Sequence, residues 1–180
     1  LLVAVKKEIV SSFADVIEAA GLTPAIIDVD YFAMESMYET NYEPQAAGEV
    51  IGLIHIGAHY TSINVLSNGI STFTGDLPVG GQEFTDSVRR AMQISDEDAE
   101  NFKVAGLTNG DKGSDLEALL RPAAQSLAED IQRTLSLYGA IASEEGIRNI
   151  YLTGGGAKVV GLTSAMEERL GVPVQLAEPF

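Results

Sequence analysis

The chain has 180 residues, of which 46 % are hydrophobic, enough for one well-cored domain and too many for a disordered chain. Its 26 acidic and 11 basic side chains give a formal charge of −15, which disfavours binding to nucleic acid or directly to an anionic membrane surface. The absence of cysteine excludes disulfides, thiolate metal sites and cysteine nucleophiles and suits a reducing cytoplasm.

The first quarter of the chain predicts two strands and two helices. Strands are predicted at 1–5 (LLVAV) and 25–30 (AIIDVD), and helices at 6–20 and 31–42. Apolar runs predict the two strands. Apolar residues at helical spacing predict the first helix, and Gly21 stands at the position of its C-cap. The polar stretch 41–49, which contains Pro44 and Gly48, is the one plausible boundary.

Residues 50–76 predict an antiparallel meander of three strands. VIGLIHI breaks at Gly57, TSINVLS follows, and Asn68-Gly69 separates it from ISTFTGDL. Asn-Gly between two strand-like runs is a strong hairpin signal, because both central positions need positive φ. Residues 50–75 carry no formal charge, yet their many glycine and polar residues make them too polar for a membrane-spanning helix.

The second half of the chain predicts helices and then a strand, a glycine turn and a helix. The predicted elements are helices at 82–92, from Ser95, and at 114–143, then a strand at 147–153, a helix at 162–170 and a strand at 172–176. Asp98 completes a capping box with Ser95, Pro122 predicts a kink or break in the long helix, and Gly171 predicts the end of the last helix. This order indicates a mixed α/β fold.

Gly57 marks the first candidate site, IHIGAHYTSINV. A tight turn between strands leaves the amides of Ala58, His59 and Tyr60 without ladder partners, and successive free amides can bind an anion. The hydroxyls of Thr61 and Ser62 follow. The alternative is an ordinary hairpin that happens to contain a glycine.

The second candidate site is YLTGGGAKVVGL, where three glycines between a strand and a helix let another molecule approach the backbone closely. A dinucleotide fingerprint does not fit, because Val159 occupies the place of its third glycine, and the chain has no Walker-type Gly-Lys-Ser/Thr. A plain sharp turn is the alternative. Glu100 and Lys103 lie three apart on one helical face, which by itself describes an ordinary surface ion pair.

Five segments in order resemble the C-terminal half of the actin-like ATPases. They are IDVDYFAMESMYE, LIHIGAHYTSINVLSNG, DLPVGGQEFTDSV, DAENFK and YLTGGGAKVVGLTSAMEERLGVPV. That superfamily includes FtsA, MreB, the heat-shock ATPases and the sugar kinases, and within it the segments are most similar to PilM of type IV pilus assembly. The resemblance covers nearly the whole chain.

The resemblance implies an actin-like (ribonuclease H-like) α/β fold, in which an antiparallel meander and parallel strands are flanked by helices and ATP occupies a cleft between two domains. Residues 1–45 then correspond to the end of the first domain, and residues 46–180 to the second, nucleotide-binding domain. It also implies nucleotide contacts for the two glycine turns, for the Gly80–Gly81 pair and for a ribose-binding pair. These residues are Gly57, Ala58, His59, Tyr60, Thr61, Gly80, Gly81, Glu100, Lys103, Gly154, Gly155, Gly156 and Ala157.

Two positions concern catalysis. Asp30 matches the carboxylate at the start of the connecting helix, a candidate for positioning the attacking water. His55 stands where the family usually has an aspartate that helps to hold Mg²⁺. A neutral imidazole supplies no counter-charge for the cation and an imidazolium repels it, so we expect at most weak ATP hydrolysis. The alternative is that His55 is a satisfied histidine of a buried strand.

The resemblance implies a cytoplasmic, ATP-binding scaffold, peripheral to the inner membrane through a partner. The expected partners are the tail of a PilN-like inner-membrane protein and other pilus assembly proteins, with self-association possible and no insertion into the membrane. Two alternatives stay open: an FtsA-like cell-division protein and a sugar-kinase-like phosphotransferase, although the sequence shows no signature of a catalytic base or a sugar pocket.

Overall fold

The computed structural model describes residues 4–43, 48–106, 113–141 and 146–178. Within these ranges the helices are α1 (Lys7–Ala19), α2 (Asp30–Asn41), α3 (Gly81–Met92), α4 (Asp96–Gly106), α5 (Gly113–Ile141) and α6 (Leu162–Leu170). The strands are β1 (Val50–Ile56), β2 (Thr61–Ser67), β3 (Ile70–Leu77), β4 (Asn149–Thr153) and β5 (Val174–Leu176).

The five strands form one mixed sheet in the order β3-β2-β1-β4-β5. β2 pairs antiparallel with both β1 and β3. On the other side of β1, β4 pairs parallel with β1, and β5 pairs parallel with β4. The predicted meander is therefore confirmed. Asn68 (φ 53°) and Gly69 (φ 78°) make its second turn, because both residue types tolerate the left-handed region that this tight turn requires.

Helices cover both faces of the sheet, since successive side chains of a strand point to opposite sides. Ile54 and Ile56 of β1 belong to a core built mainly with α3, α5 and α6. Ile51 and Leu53 belong to a smaller core with Met34 and Tyr38 of α2 and with Tyr151. β1 is the central strand and is buried on both faces. Its carboxyl end, which Gly57 follows, therefore lies between the ends of the neighbouring strands, at the middle of one end of the sheet.

The helix ends follow the predicted signals. The Ser95 hydroxyl accepts a hydrogen bond from the Asp98 amide at 3.1 Å, which confirms Ser95 as the capping residue, and it donates to the Asp98 carboxylate at 2.7 Å, so the two side chains pair as in a capping-box-like start. Gly171 caps α6 in the left-handed conformation (φ 70°). α5 runs without a break through Pro122, so a break at that position is wrong. The tertiary contacts of this long helix outweigh one lost backbone hydrogen bond.

The predicted strand at 25–30 is wrong, and the two described residues of the predicted strand at 1–5 do not form a strand either. Residues 25–29 pair with no strand and Asp30 already belongs to α2, while residues 4 and 5 of the first apolar run also lie outside any strand. Ile26 is 85 % exposed and Val5 59 %. An apolar run favours a strand only where a neighbouring strand can pair with it, and the described sheet ends at β3 and β5.

α1 forms as predicted, but none of its residues is buried, and its apolar stripe, which includes Phe13 and Val16, is exposed in this chain. Residues 1–3, Pro44 within the predicted boundary, residues 107–112 and the predicted helix end at Ser143 lie outside the described residues. No helix in the described ranges has both the length and the apolar character that crossing a membrane requires.

Candidate functional site

The turn after β1 and the start of α3 are joined by backbone hydrogen bonds. The Gly57 amide donates to the Tyr60 carbonyl at 2.9 Å, and the amides of Gly81 and Gln82 donate to the carbonyls of Gly57 and Ala58, both at 2.8 Å. A side chain at Gly80 would lie 2.5 Å from the Gly57 carbonyl oxygen. The turn therefore caps α3, and Gly80 permits the close approach of the two backbones.

The three consecutive glycines after β4 have different surroundings. Gly154 has φ 87°, and a Cβ atom there would collide with the Ile56 carbonyl oxygen. A Cβ at Gly156 would lie 2.5 Å from Cγ2 of Ile56. At Gly155, whose backbone is helical (φ −64°, ψ −38°), a Cβ would meet nothing within 4 Å. Two of the glycines therefore allow the turn to pack on the end of β1, and only at Gly155 would an added Cβ atom enter open space.

Both glycine turns border one cavity of about 470 Å³, here called the Glu100 cavity. Its lining comes from the β1–β2 turn, α3, α4 and the glycine turn after β4. The lining residues are Gly57, Ala58, Gly81, Gln82, Thr85, Asp96, Glu100, Lys103, Val104, Gly155, Gly156, Lys158 and Val159. The structure thus brings together the two glycine turns and the Glu100–Lys103 pair, which are separated by up to a hundred residues in the sequence.

The ammonium group of Lys103 is held in this wall by three oxygen atoms. Nζ lies 2.7 Å from Glu100 Oε2, 2.8 Å from Thr85 Oγ1 and 3.3 Å from the Gly81 carbonyl oxygen. The Lys103 side chain is 10 % exposed, whereas that of Glu100 is 49 % exposed. An ammonium has three protons to donate, so Lys103 has none left for a ligand.

The Glu100 carboxylate is ionised and has one oxygen available. Burial acts to raise the pKa of this carboxyl, but the hydrogen bonds from Lys103 and Thr85 outweigh burial and the pKa is lowered. Both hydrogen bonds are made to Oε2, and Oε1 has no protein donor among the described residues. Glu100 therefore presents a fixed acceptor to the cavity, and hydroxyl groups of a ligand are suitable donors.

A second cavity of about 840 Å³, the His55 cavity, lies beside the first one. Asp30 and His55 line it together with Gly154, Thr153 and an apolar wall that includes Met34. Gly155 and Lys158 border both cavities, so the two spaces meet at the glycine turn. No group of three or more His, Asp or Glu side chains in the described ranges is arranged to hold a metal ion.

Asp30 and His55 are each held by a hydroxyl group. The Ser62 hydroxyl donates to Asp30 Oδ2 at 2.9 Å, and His55 Nδ1 lies 3.0 Å from Thr153 Oγ1. The Thr153 hydroxyl oxygen also lies 3.6 Å from the Met34 sulfur, a weak acceptor. The hydroxyl therefore joins the imidazole of β1 to the apolar wall of the cavity.

Several predicted site residues line neither cavity. They are His59, Tyr60, Thr61, Gly80 and Ala157. Thr61 is buried, and its hydroxyl donates to the Val79 carbonyl at 2.8 Å, so this hydroxyl does not face a ligand. The amides of Ala58, His59 and Tyr60 have no acceptor in the described part of the chain, as expected for a turn that can bind an anion.

Thr85 and Lys158 are the lining residues of most interest that the sequence did not single out. Thr85 lies four residues after Gly81 on α3, and residues four apart lie on the same face of a helix. Lys158 follows the glycine turn directly. The spacing of Thr85 from Gly81 and the position of Lys158 after the glycine turn can both be read from the sequence. Neither indicates a ligand contact until the turn and the helices are assembled.

Comparison with known proteins gives the same fold. A family model described as type IV pilus assembly protein PilM matches residues 1–180. A solved PilM-PilN type IV pilus biogenesis complex contains a chain that is 26 % identical, with a TM-score of 0.80; the match covers 96 % of this chain and 48 % of that one. The chain therefore spans about half the length of this solved relative.

Two more distant structures share the fold. MreB 5 of Spiroplasma citri bound to AMPPNP is 17 % identical, with a TM-score of 0.65, over 97 % of this chain and 61 % of its own. Ta0583, an archaeal actin homolog, is 15 % identical, with a TM-score of 0.58, over 83 % of this chain and 48 % of its own. The fold is thus the actin-like α/β fold that the sequence resembled.

Proposed function

The chain belongs to the type IV pilus assembly protein PilM family, and from this membership we propose that it forms the ATP-binding half of an actin-like scaffold for pilus assembly. The observation that carries the proposal is the convergence of both glycine turns and the Glu100–Lys103 pair on one cavity. In this proposal, residues 46–180 are the nucleotide-binding domain, and residues 1–45 belong to the domain that precedes it.

The residues of the two cavities fit the parts of a nucleoside triphosphate. The free amides of the turn after Gly57 suit phosphate oxygens, and the Glu100 carboxylate suits the hydroxyl groups of ribose. Gly155 leaves space for a flat base beside the backbone. Lys158, which borders both cavities, adds a positive charge where the phosphates turn towards Asp30 and His55. MreB 5, which shares the fold, is bound to AMPPNP, and this supports nucleotide binding by the present chain.

Glu100→Ala tests the proposal in the complete protein. We expect the affinity for ATP to fall at least tenfold, because a hydrogen bond to a charged group is lost and Lys103 is left without its carboxylate. Isothermal titration calorimetry with ATP measures the change. Glu97→Ala is the control, since Glu97 is an exposed acidic residue of the same helix that does not line the cavity. Equal affinities of the two variants would contradict the proposed site.

We propose that ATP acts mainly as a conformational ligand and is hydrolysed slowly. Mg²⁺ in such sites is bound through substrate phosphates, one or two carboxylates and water, and it supplies the charge neutralisation that phosphoryl transfer needs. Asp30 and Glu178 provide carboxylates in the His55 cavity. At the end of β1, however, the chain offers the imidazole of His55, which can neither balance the cation nor attract it.

His55→Asp should therefore raise Mg²⁺-dependent ATP turnover several-fold and change ATP affinity less. The Thr153 hydroxyl, 3.0 Å from His55 Nδ1, can rotate to donate to the new carboxylate, so the substitution leaves no buried donor unpaired. Phosphate release measured with and without Mg²⁺ checks this result. Gln93→Asp is the control, because it adds a carboxylate at an exposed position that lines neither cavity and lies outside the turn after Gly57. If the unaltered protein hydrolyses ATP rapidly and His55→Asp leaves that rate unchanged, His55 has only a structural role.

For the partner, we propose the cytoplasmic tail of a PilN-like inner-membrane protein. Support comes from the relative in the PilM-PilN complex, at 26 % identity. The protein would then be cytoplasmic and held at the inner membrane by this tail, where it could also contact other pilus assembly proteins or itself. We expect a tagged tail of the PilN-like protein to retain the complete protein in a pull-down, and a tail of scrambled sequence to retain none. Equal retention by both tails would contradict this partner.

Membership of the PilM family favours the pilus scaffold over the two alternatives. An FtsA-like division protein and a sugar-kinase-like phosphotransferase share the general fold, but the family model that matches the whole chain is that of the pilus protein.

A further inference from the structure

Thr85 lies at the centre of the polar wall of the Glu100 cavity. It is only 1 % exposed and sits on α3, one turn after Gly81. Its hydroxyl oxygen is 2.5 Å from Glu100 Oε2, 2.8 Å from Lys103 Nζ and 3.5 Å from the Gly81 carbonyl oxygen. No other side chain in the described part of the chain contacts both members of the Glu100–Lys103 pair through a hydrogen bond.

The single hydroxyl proton of Thr85 has only one good acceptor. Lys103 is an ammonium and can only donate, so Thr85 Oγ1 must accept from it. The Thr85 proton is then left for the two remaining oxygens, and Glu100 Oε2 is much nearer than the Gly81 carbonyl. Thr85 therefore accepts from the cation and donates to the anion.

This arrangement fixes the orientation of a half-exposed side chain. An i,i+3 ion pair on a helix surface is weak and leaves both side chains mobile. Here Glu100 Oε2 receives a second hydrogen bond, from a hydroxyl on a different helix, and a carboxylate held by two donors at one oxygen keeps the other oxygen in place. A preorganised acceptor binds a ligand hydroxyl without the cost of ordering the side chain on binding.

We propose that Thr85 is a positioning residue that holds the Glu100 carboxylate ready for the ribose hydroxyls and so sets the preference of the site for a ribonucleotide; this rests on the proposed nucleotide site. Thr85 determines the sugar preference through Glu100, because its only proton is already donated to the carboxylate. The residue is thus a determinant of specificity, distinct from the residues that bear the affinity for base and phosphates.

The test compares ATP with 2′,3′-dideoxy-ATP, which lacks both ribose hydroxyls, in the complete protein. We expect the unaltered protein to bind ATP at least tenfold more tightly than the dideoxy analogue. Thr85→Val has nearly the same shape and lacks the hydroxyl, and it should lower this ratio to below about threefold, mainly by weakening ATP binding. Thr85→Ser, which restores the hydroxyl, should restore the ratio. Thr134→Val removes a helical threonine hydroxyl whose one hydrogen bond among the described residues is to the Asp130 carbonyl, and it should leave the ratio unchanged.

The ratio separates this role from a purely structural one, because a general loss of packing weakens both nucleotides equally. A Thr85→Val protein that keeps the full ratio overturns the inference and leaves the proposed nucleotide site intact. An unaltered protein that binds both nucleotides equally overturns the inference together with the assignment of Glu100 to the ribose hydroxyls, while ATP binding itself stands. Failure of the unaltered protein to bind ATP at all overturns the proposed site together with this inference. Thr85→Cys, a weak donor of similar size, gives the same measurement if the valine variant does not fold.

Discussion

Gly154→Ala is expected to destabilise the protein by about 3 kcal/mol, whereas Gly155→Ala should change its free energy of unfolding by less than about 0.5 kcal/mol. Gly154 has φ 87°, and its Cβ would collide with the Ile56 carbonyl oxygen. An alanine therefore pays both for the left-handed backbone and for the overlap with a central strand. Gly155 has a helical backbone, and a Cβ atom there would meet no other atom within 4 Å, so the structure accommodates a methyl group. Denaturant unfolding of the two variants measures the difference.

Although Gly154→Ala is expected to be the less stable variant, it should bind ATP more tightly than Gly155→Ala when the two are compared at equal concentrations of folded protein. The methyl group of Gly155→Ala enters the space that the proposed site assigns to the nucleotide, and we expect about a tenfold loss of affinity from crowding alone. Gly154 lines the His55 cavity but not the Glu100 cavity. The folded fraction of Gly154→Ala should therefore bind ATP more tightly than Gly155→Ala does. A Gly155→Ala protein with normal stability and unchanged ATP affinity would contradict the placement of the nucleotide against this turn.

Lys103→Met is expected to cost about 2 kcal/mol of stability and about a factor of ten in ATP affinity. The methionine has a similar length, but it leaves Glu100 Oε2, Thr85 Oγ1 and the Gly81 carbonyl oxygen without the donor that now lies 2.7–3.3 Å from them. Loss of the ammonium also frees the Glu100 carboxylate from one of its two hydrogen bonds. Thermal unfolding and titration calorimetry measure the two effects.

Lys158→Met is the matched control for this prediction. Lys158 is exposed, borders the same cavity and makes no ion pair or side-chain hydrogen bond among the described residues. Its replacement removes the same charge and should reduce ATP affinity without changing stability. Equal stability of the Lys103 and Lys158 variants would show that the three contacts of Lys103 contribute nothing, as is common for ion pairs in contact with water.

Local signals in the sequence were sufficient for the meander and for most helix limits. Asn68-Gly69, the Ser95–Asp98 capping box and Gly171 each act within a few residues, so their effect on the backbone does not depend on the rest of the fold. The resemblance to the actin-like ATPases also identified the fold correctly, because it rested on the order of five segments.

The predicted strand at 25–30 failed for the opposite reason. Strand formation needs a hydrogen-bonding neighbour, and the position of a neighbour is a property of the whole sheet. Ile26 and Ile27 have the composition of a strand, yet they are exposed and unpaired in this chain. No pattern within six residues distinguishes such a segment from a strand that finds a partner.

The sequence by itself determined where the backbone turns and which residue types stand there, because turns and caps are decided by short-range sterics and hydrogen bonds. Only the tertiary structure decided what each of those residues does. Gly154, Gly155 and Gly156 are identical in the sequence, and their distances to Ile56 separate two packing positions from one that faces open space. In the same way, the Glu100–Lys103 pair became part of a three-residue hydrogen-bond network only when α3 brought Thr85 against it, since contacts between distant elements depend on how the helices pack on the sheet.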